Sequence, residues 1–153
     1  MVNRSYLGSI TKYSELGFGS NATVYLCEYF DSSVAYKEFW SPEYVASIKD
    51  EVIKLSEFEG DDKFIFPDKF IYERPKDEIF KGYTMPLLYN FNFLYETYLE
   101  SLDYDKKISL LFKARDLIEE LHKKYRTLHA DVAPWNFMYN EDNDYLVLTD
   151  FDT

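Results

Sequence analysis

Two stretches rich in β-branched and aromatic residues, 23–29 and 34–39, flank the polar step Asp31-Ser32-Ser33. They predict a β-hairpin. Ser41-Pro42 follows as an N-cap with proline at the first helical position. Val45, Ile48, Val52 and Leu55 then recur every three or four residues, predicting an amphipathic helix that stops near Gly60. Residues 63–72 and 79–88 predict two further strands around the polar turn Glu73-Arg74-Pro75-Lys76-Asp77, and a short helix is expected over 91–99. From 104 to 125, Ile108, Leu111, Phe112, Ile118, Leu121 and Tyr125 form one stripe, so a long helix burying that face is expected. A loop over 129–136, a short apolar strand, the turn at 140–144 and a strand over 145–149 complete the chain. The order, mostly sheet with one helix and then mostly helix ending in a hairpin, predicts an α+β fold in two unequal lobes, 1–88 and 89–153.

Composition narrows the function classes. With 153 residues and 46% apolar side chains the chain can build a core. Its 15 Tyr, 13 Phe and 2 Trp exceed what so small a core encloses, so many rings are expected at the surface. A formal charge of −11, with no basic cluster, argues against nucleic acid or anionic lipid as partner. The single cysteine, Cys27, excludes an internal disulfide and a multi-cysteine metal site. No signal-peptide core and no run of about eighteen apolar residues is present, so a soluble cytoplasmic protein is expected.

Three groups of residues could carry chemistry. Gly17-Phe18-Gly19-Ser20 lies between two strands, where glycine lets backbone N–H groups approach an anion; taken alone, the glycines are better explained by an ordinary hairpin bend. Lys37 sits mid-strand, an unfavourable place unless it faces water or a partner. Glu51, bordering the buried stripe of the first helix, is the candidate partner, with Glu57 as competitor; an acidic scaffold without nucleotide would instead keep Lys37 and Glu51 apart. Asp131, Asn136 and Asp150 are oxygen donors on loops, suited to Mg²⁺ and, for Asp131, to taking a hydroxyl proton, although Asp and Asn also shape turns. His122, His129 and Cys27 read as structural residues.

The ordered series Gly17-x-Gly19-x-x-Ala22-x-Val24, Val34-Ala35-Tyr36-Lys37, Glu51, His129-x-Asp131-x-x-x-x-Asn136 and Asp150-Phe151-Asp152 resembles the protein-kinase-like phosphotransferase superfamily over nearly the whole chain. The resemblance implies an antiparallel sheet lobe with one helix, a helical second lobe, and ATP with Mg²⁺ as cofactors. It assigns Gly17, Phe18, Gly19 and Ser20 to the phosphates. It assigns Lys37, braced by Glu51, to the α- and β-phosphates, and Val24 and Ala35 to the adenine roof. Met85 would lie behind the hinge, and since Pro86 has no N–H, Leu87 or Leu88 would supply the donor. Asp131 would be the base, and Asn136 and Asp150 the metal ligands. The expected activity is transfer of the γ-phosphoryl group to a hydroxyl. A non-catalytic, kinase-like nucleotide-binding or interaction module is the alternative.

The departures lie at Ala22, at Ala130 and Ala133 of the catalytic loop, and at Asp152, where the pattern has glycine. The loop is closer in style to aminoglycoside- and choline-type small-molecule kinases. The resemblance also implies a truncated second lobe, because the chain ends one residue past Asp152, and hence a protein partner or self-association to cover it.

Overall fold

The computed structural model describes residues 4–58, 61–76 and 78–152. They form an α+β protein that divides into two units. The first holds the described residues of 1–59 and 66–87 with Asp152; the second holds those of 60–65 and 88–151.

The first unit is a six-stranded sheet of β1 (Arg4–Tyr6), β2 (Ile10–Phe18), β3 (Ala22–Tyr29), β4 (Ser32–Phe39), β5 (Phe70–Tyr72) and β6 (Phe80–Pro86), in the order β1-β5-β6-β4-β3-β2. The β3–β4 turn is tighter than expected. Tyr29 pairs with Ser32, and both linking residues, Phe30 and Asp31, have positive φ (45° and 61°). Such a two-residue turn matches the right-handed twist of the strands, which outweighs the strain of placing Phe30 there.

Two expectations need correction in this unit. The sheet is not wholly antiparallel, because β1 pairs parallel with β5, and Arg4 lies 3.7 Å from the centroid of the Tyr72 ring. The strand expected over 63–72 is cut to β5. Pro67 cannot join a ladder, and upstream of it Phe64 bridges Leu148 inside the second unit.

Helix α1 (Pro42–Leu55) begins as expected, with the Ser41 hydroxyl accepting from the Tyr44 N–H at 3.2 Å. Val45 and Val52 pack with Ala22, Phe39, Phe70, Tyr72, Phe80 and Tyr83 as the core on one sheet face. Cys27, Tyr36 and Ile71 form a smaller cluster elsewhere in the sheet. Gly82 in β6 lies opposite Glu38, and a Cβ there would stand 1.9 Å from the Lys37 carbonyl oxygen.

The second unit contains β7 (Asn92–Phe93), α2 (Glu96–Ser101), α3 (Tyr104–Glu120), β8 (Phe137–Asn140) and β9 (Tyr145–Leu148), the strands paired antiparallel as β7-β8-β9. The segment expected as one short helix is therefore a strand followed by α2. Asp103 caps α3, its carboxylate accepting from the Lys106 N–H at 2.8 Å. The expected buried stripe of this helix is corrected in part: Leu121 is buried as expected and Ile108 and Ile118 are half-buried, but Leu111 and Phe112 are 66% and 52% exposed, and Leu110 and Leu117 are buried in their place. Leucines spaced seven and four apart make a second stripe in the same sequence, and that face is the one packed. No helix among the described residues is long and apolar enough to cross a membrane.

Asp144, in the β8–β9 turn, accepts from the Tyr139 hydroxyl at 2.6 Å and pairs with Lys106 and Lys113 at 3.2 and 3.1 Å. The Tyr139 hydroxyl, then Lys113 and Lys106, hold its carboxyl down to about 2. A depressed folded-state pKa gives stability that is present above the ordinary value and lost as pH falls through the folded one. Acid titration of Asp144, followed by NMR, is expected to show its carboxylate ionised at pH 3, with Lys106→Met and Lys113→Met together moving the midpoint back toward 3.8.

Candidate functional site

The register of the first unit's sheet aligns Gly17, Val24, Lys37 and Tyr83 in one row across β2, β3, β4 and β6. The next row aligns Leu26, Ala35 and Met85. Directly opposed residues share a face and side chains alternate along a strand, so Val24, Ala35, Lys37 and Met85 lie on one face. It is the face of Phe39 and Tyr83, against which α1 packs. Leu87 follows the end of β6 and is half-buried.

Lys37 is held by an acid, though not the expected one. Its ammonium meets the Asp152 carboxylate at 2.7 Å, with only 12% of the lysine side chain and 1% of the aspartate exposed. The Tyr44 hydroxyl donates to the Asp152 carbonyl oxygen at 3.1 Å, fixing that segment on α1. Glu51 is exposed on α1, and among the described residues no ion pair joins it to Lys37. This corrects the expected Lys37–Glu51 brace. Val45, Val52 and Leu55 turn the buried stripe inward, which leaves Glu51 on the solvent side of the helix. Glu57 is exposed as well. The mark set against a plain acidic scaffold, a Lys37–Glu51 pair, is thus missing, and Asp152 supplies the countercharge instead.

The β2–β3 turn closes with the Gly19 N–H donating to the Ala22 carbonyl at 2.9 Å. Phe18 is 77% exposed, and Gly19 and Ser20 are exposed beside it. Neither Gly17 nor Gly19 has φ in the left-handed range of +20° to +160°, and a Cβ on either would meet nothing within 4 Å. Turn geometry and packing therefore do not account for glycine at these two positions.

In the second unit, the 129–136 loop is cross-tied. The Asn136 side-chain amide donates to the Asp131 carbonyl at 2.7 Å and to its carboxylate at 3.0 Å. The Thr149 N–H donates to the Asn136 carbonyl at 2.8 Å, which continues the β8–β9 pairing and brings Asp150 beside this loop. Asp150 has φ +63°, a left-handed conformation that aspartate tolerates better than most residues.

Buried His129 uses both ring nitrogens. Nδ1 accepts from the Asp131 N–H at 3.2 Å, which makes Nε2 the protonated nitrogen that donates to the Thr149 carbonyl at 2.7 Å. The Phe151 ring meets the His129 ring at 4.9 Å and the Phe64 ring at 6.3 Å, both edge-on. Asp131 is half-buried and Asn136 buried, so the loop presents a carboxylate on a fixed frame.

Among the described residues, no group of three or more His, Cys, Asp or Glu side chains is arranged to hold a metal ion. Asn136 and Asp150 are hard oxygen donors on adjoining backbone, and such a pair fits Mg²⁺ when phosphate oxygens and water complete its coordination. Asp152, a departure from the family pattern in sequence, is the functional-site residue that the motifs do not mark. The one signal for it was a second acid just past Asp150, in a stretch otherwise apolar. No protein-family model matches the chain, and no curated protein matches it.

Proposed function

We propose that the chain is a protein-kinase-like phosphotransferase that uses ATP and Mg²⁺ to phosphorylate a hydroxyl group. The observation that carries this assignment is the cross-tied loop, in which the Asn136 amide fixes the Asp131 carboxylate while the Thr149 bond brings Asp150 alongside. A base and two oxygen ligands on one hydrogen-bonded frame match what phosphoryl transfer requires, namely positioning and charge neutralisation.

In this account Val24, Ala35 and Met85 receive the adenine, with the N–H of Leu87 or Leu88 as edge donor. The backbone around Gly17, Phe18, Gly19 and Ser20 lies along the phosphates, and Lys37 binds the α- and β-phosphates. Asn136 and Asp150 hold Mg²⁺, which neutralises phosphate charge when bound. Asp131 accepts the hydroxyl proton as the acceptor oxygen bonds to the γ-phosphorus and the bond to ADP breaks. A protein partner or second copy would cover exposed apolar residues of the second unit such as Leu128 and Val132.

One observation favours the non-catalytic alternative. The Asp152 carboxylate already neutralises Lys37, so phosphate must displace or share that partner. Label transfer from γ-labelled ATP, to water or to the protein itself, separates the two. The expected result is Mg²⁺-dependent transfer by the intact chain; nucleotide binding with no transfer to any hydroxyl would leave the non-catalytic module.

The two glycines give a test independent of stability. Gly17→Ala and Gly19→Ala are expected to change stability by no more than about 0.5 kcal/mol, as at open surface positions. Each methyl would hold the phosphates off the backbone, so ATP affinity is expected to fall about tenfold, equivalent to about 1.4 kcal/mol. Thermal denaturation and ATP titration of the same samples read both.

A further inference from the structure

Lys37, the proposed ligand of the α- and β-phosphates, is engaged by an anion of the chain itself. Its ammonium lies 2.7 Å from Asp152 Oδ1, and only 12% of the lysine side chain and 1% of the aspartate side chain are exposed. Asp152 is held a second time, through its backbone. The Tyr44 hydroxyl on α1 donates to the Asp152 carbonyl oxygen at 3.1 Å. The Tyr44 ring packs in turn against Phe39, with centroids 5.8 Å apart, so this tether is rooted in the core of the first unit. Lys37, Tyr44 and Asp152 all belong to that unit.

Carboxylate and phosphate oxygens are alternative partners for an ammonium, since both are anionic acceptors at hydrogen-bond distance. They are poor co-occupants. A carboxylate in contact with Lys37 lies close to any phosphate on the same ammonium, and burial leaves their repulsion weakly screened. An acid that merely braced the lysine would leave the ammonium open to solvent, whereas the Lys37–Asp152 pair is closed on both sides. We infer that Asp152 is an internal competitor for phosphate, a latch that keeps Lys37 closed until nucleotide displaces it and the Tyr44 tether gives way. This regulatory role rests on the phosphotransferase assignment; the ion pair does not.

The test is calorimetric titration of the intact chain, Asp152→Asn and Tyr44→Phe with ATP, with and without Mg²⁺ and at fixed ionic strength. Asp152→Asn removes the competing charge and keeps an oxygen that Lys37 can reach, so ATP affinity is expected to rise about tenfold. Tyr44→Phe keeps the ring against Phe39 and removes only the tether, and an increase of about threefold is expected. That variant carries the test if Asp152→Asn does not fold. A second readout needs no nucleotide. An opposite charge in contact keeps an ammonium protonated and unreactive toward acylating reagents. Acetylation of Lys37 by an N-hydroxysuccinimide ester, followed by mass spectrometry against the exposed Lys107, is expected to quicken about threefold or more in either variant.

Unchanged or weaker ATP affinity in Asp152→Asn would overturn the latch and leave the phosphotransferase. A loss of affinity confined to the Mg²⁺ titration would overturn it too, by making Asp152 a metal ligand. Absence of ATP binding by all three proteins, with Lys37 acetylation still quickened, would remove the phosphotransferase and with it the regulatory role, leaving only the ion pair.

Discussion

Asp131→Asn is expected to lower phosphoryl transfer by roughly 10²–10⁴-fold, the range supplied by a positioned general base. The change is nearly isosteric. The stronger tie, from the Asn136 amide to the Asp131 backbone carbonyl at 2.7 Å, survives it, and the new side chain still offers an oxygen where the carboxylate accepted at 3.0 Å. Stability should therefore move little and ATP affinity should stay within about threefold, since only the capacity to take a proton is lost. Initial rates of label transfer, with thermal denaturation and ATP titration alongside, check this. Undiminished transfer would remove Asp131 from the role of base.

Gly82→Ala is expected to be the most damaging single change in the first unit. The added Cβ would lie 1.9 Å from the Lys37 carbonyl oxygen, 2.9 Å from its carbon and 3.2 Å from the Glu38 Cα. All three are backbone atoms in the middle of the β4–β6 ladder, so no side chain can swing aside. The strands must separate, at a cost of about 3 kcal/mol or more, the upper part of the range for overpacking. For a chain of this size that corresponds to a fall in Tm of roughly 6–12 °C. Because the strain falls on Lys37 itself, ATP affinity should drop along with stability, whereas Gly17→Ala should affect affinity alone. Scanning calorimetry of both variants measures the contrast.

Much of the local structure was legible because its signals are local. Ser41-Pro42 marks the start of α1, and the β-formers on either side of residue 31 mark the β3–β4 hairpin. The strands of 137–140 and 145–148 frame their polar turn in the same way. Features decided by distant partners were not legible. β1 has three residues, and its hydrogen bonds go to β5, some sixty-six positions away, so nothing in Arg4-Ser5-Tyr6 itself marks a strand. The face of α3 depended on which of two leucine stripes the rest of the second unit would cover.

The candidate site divides in the same way. Val24, Ala35, Lys37 and Met85 share a face because their strands pair in a register that sets them in neighbouring rows, and the sequence pointed to them together only through the family resemblance. Asp131 and Asn136 meet because a five-residue spacing lets one loop close on itself. The acid on Lys37 lies 115 positions away in sequence, and no periodicity could choose Asp152 over Glu51. Only packing that buries Asp152 and turns Glu51 outward makes that choice.

Calorimetric titration of the intact chain with ATP, with and without Mg²⁺, and of Lys37→Met and Asp150→Ala, tests the central claim most directly. The expected result is saturable binding that requires Mg²⁺ and weakens about tenfold or more in either variant, the loss of one charge-assisted contact to a phosphate or its metal ion. Absence of any Mg²⁺-dependent nucleotide binding by the folded, unsubstituted protein would contradict it.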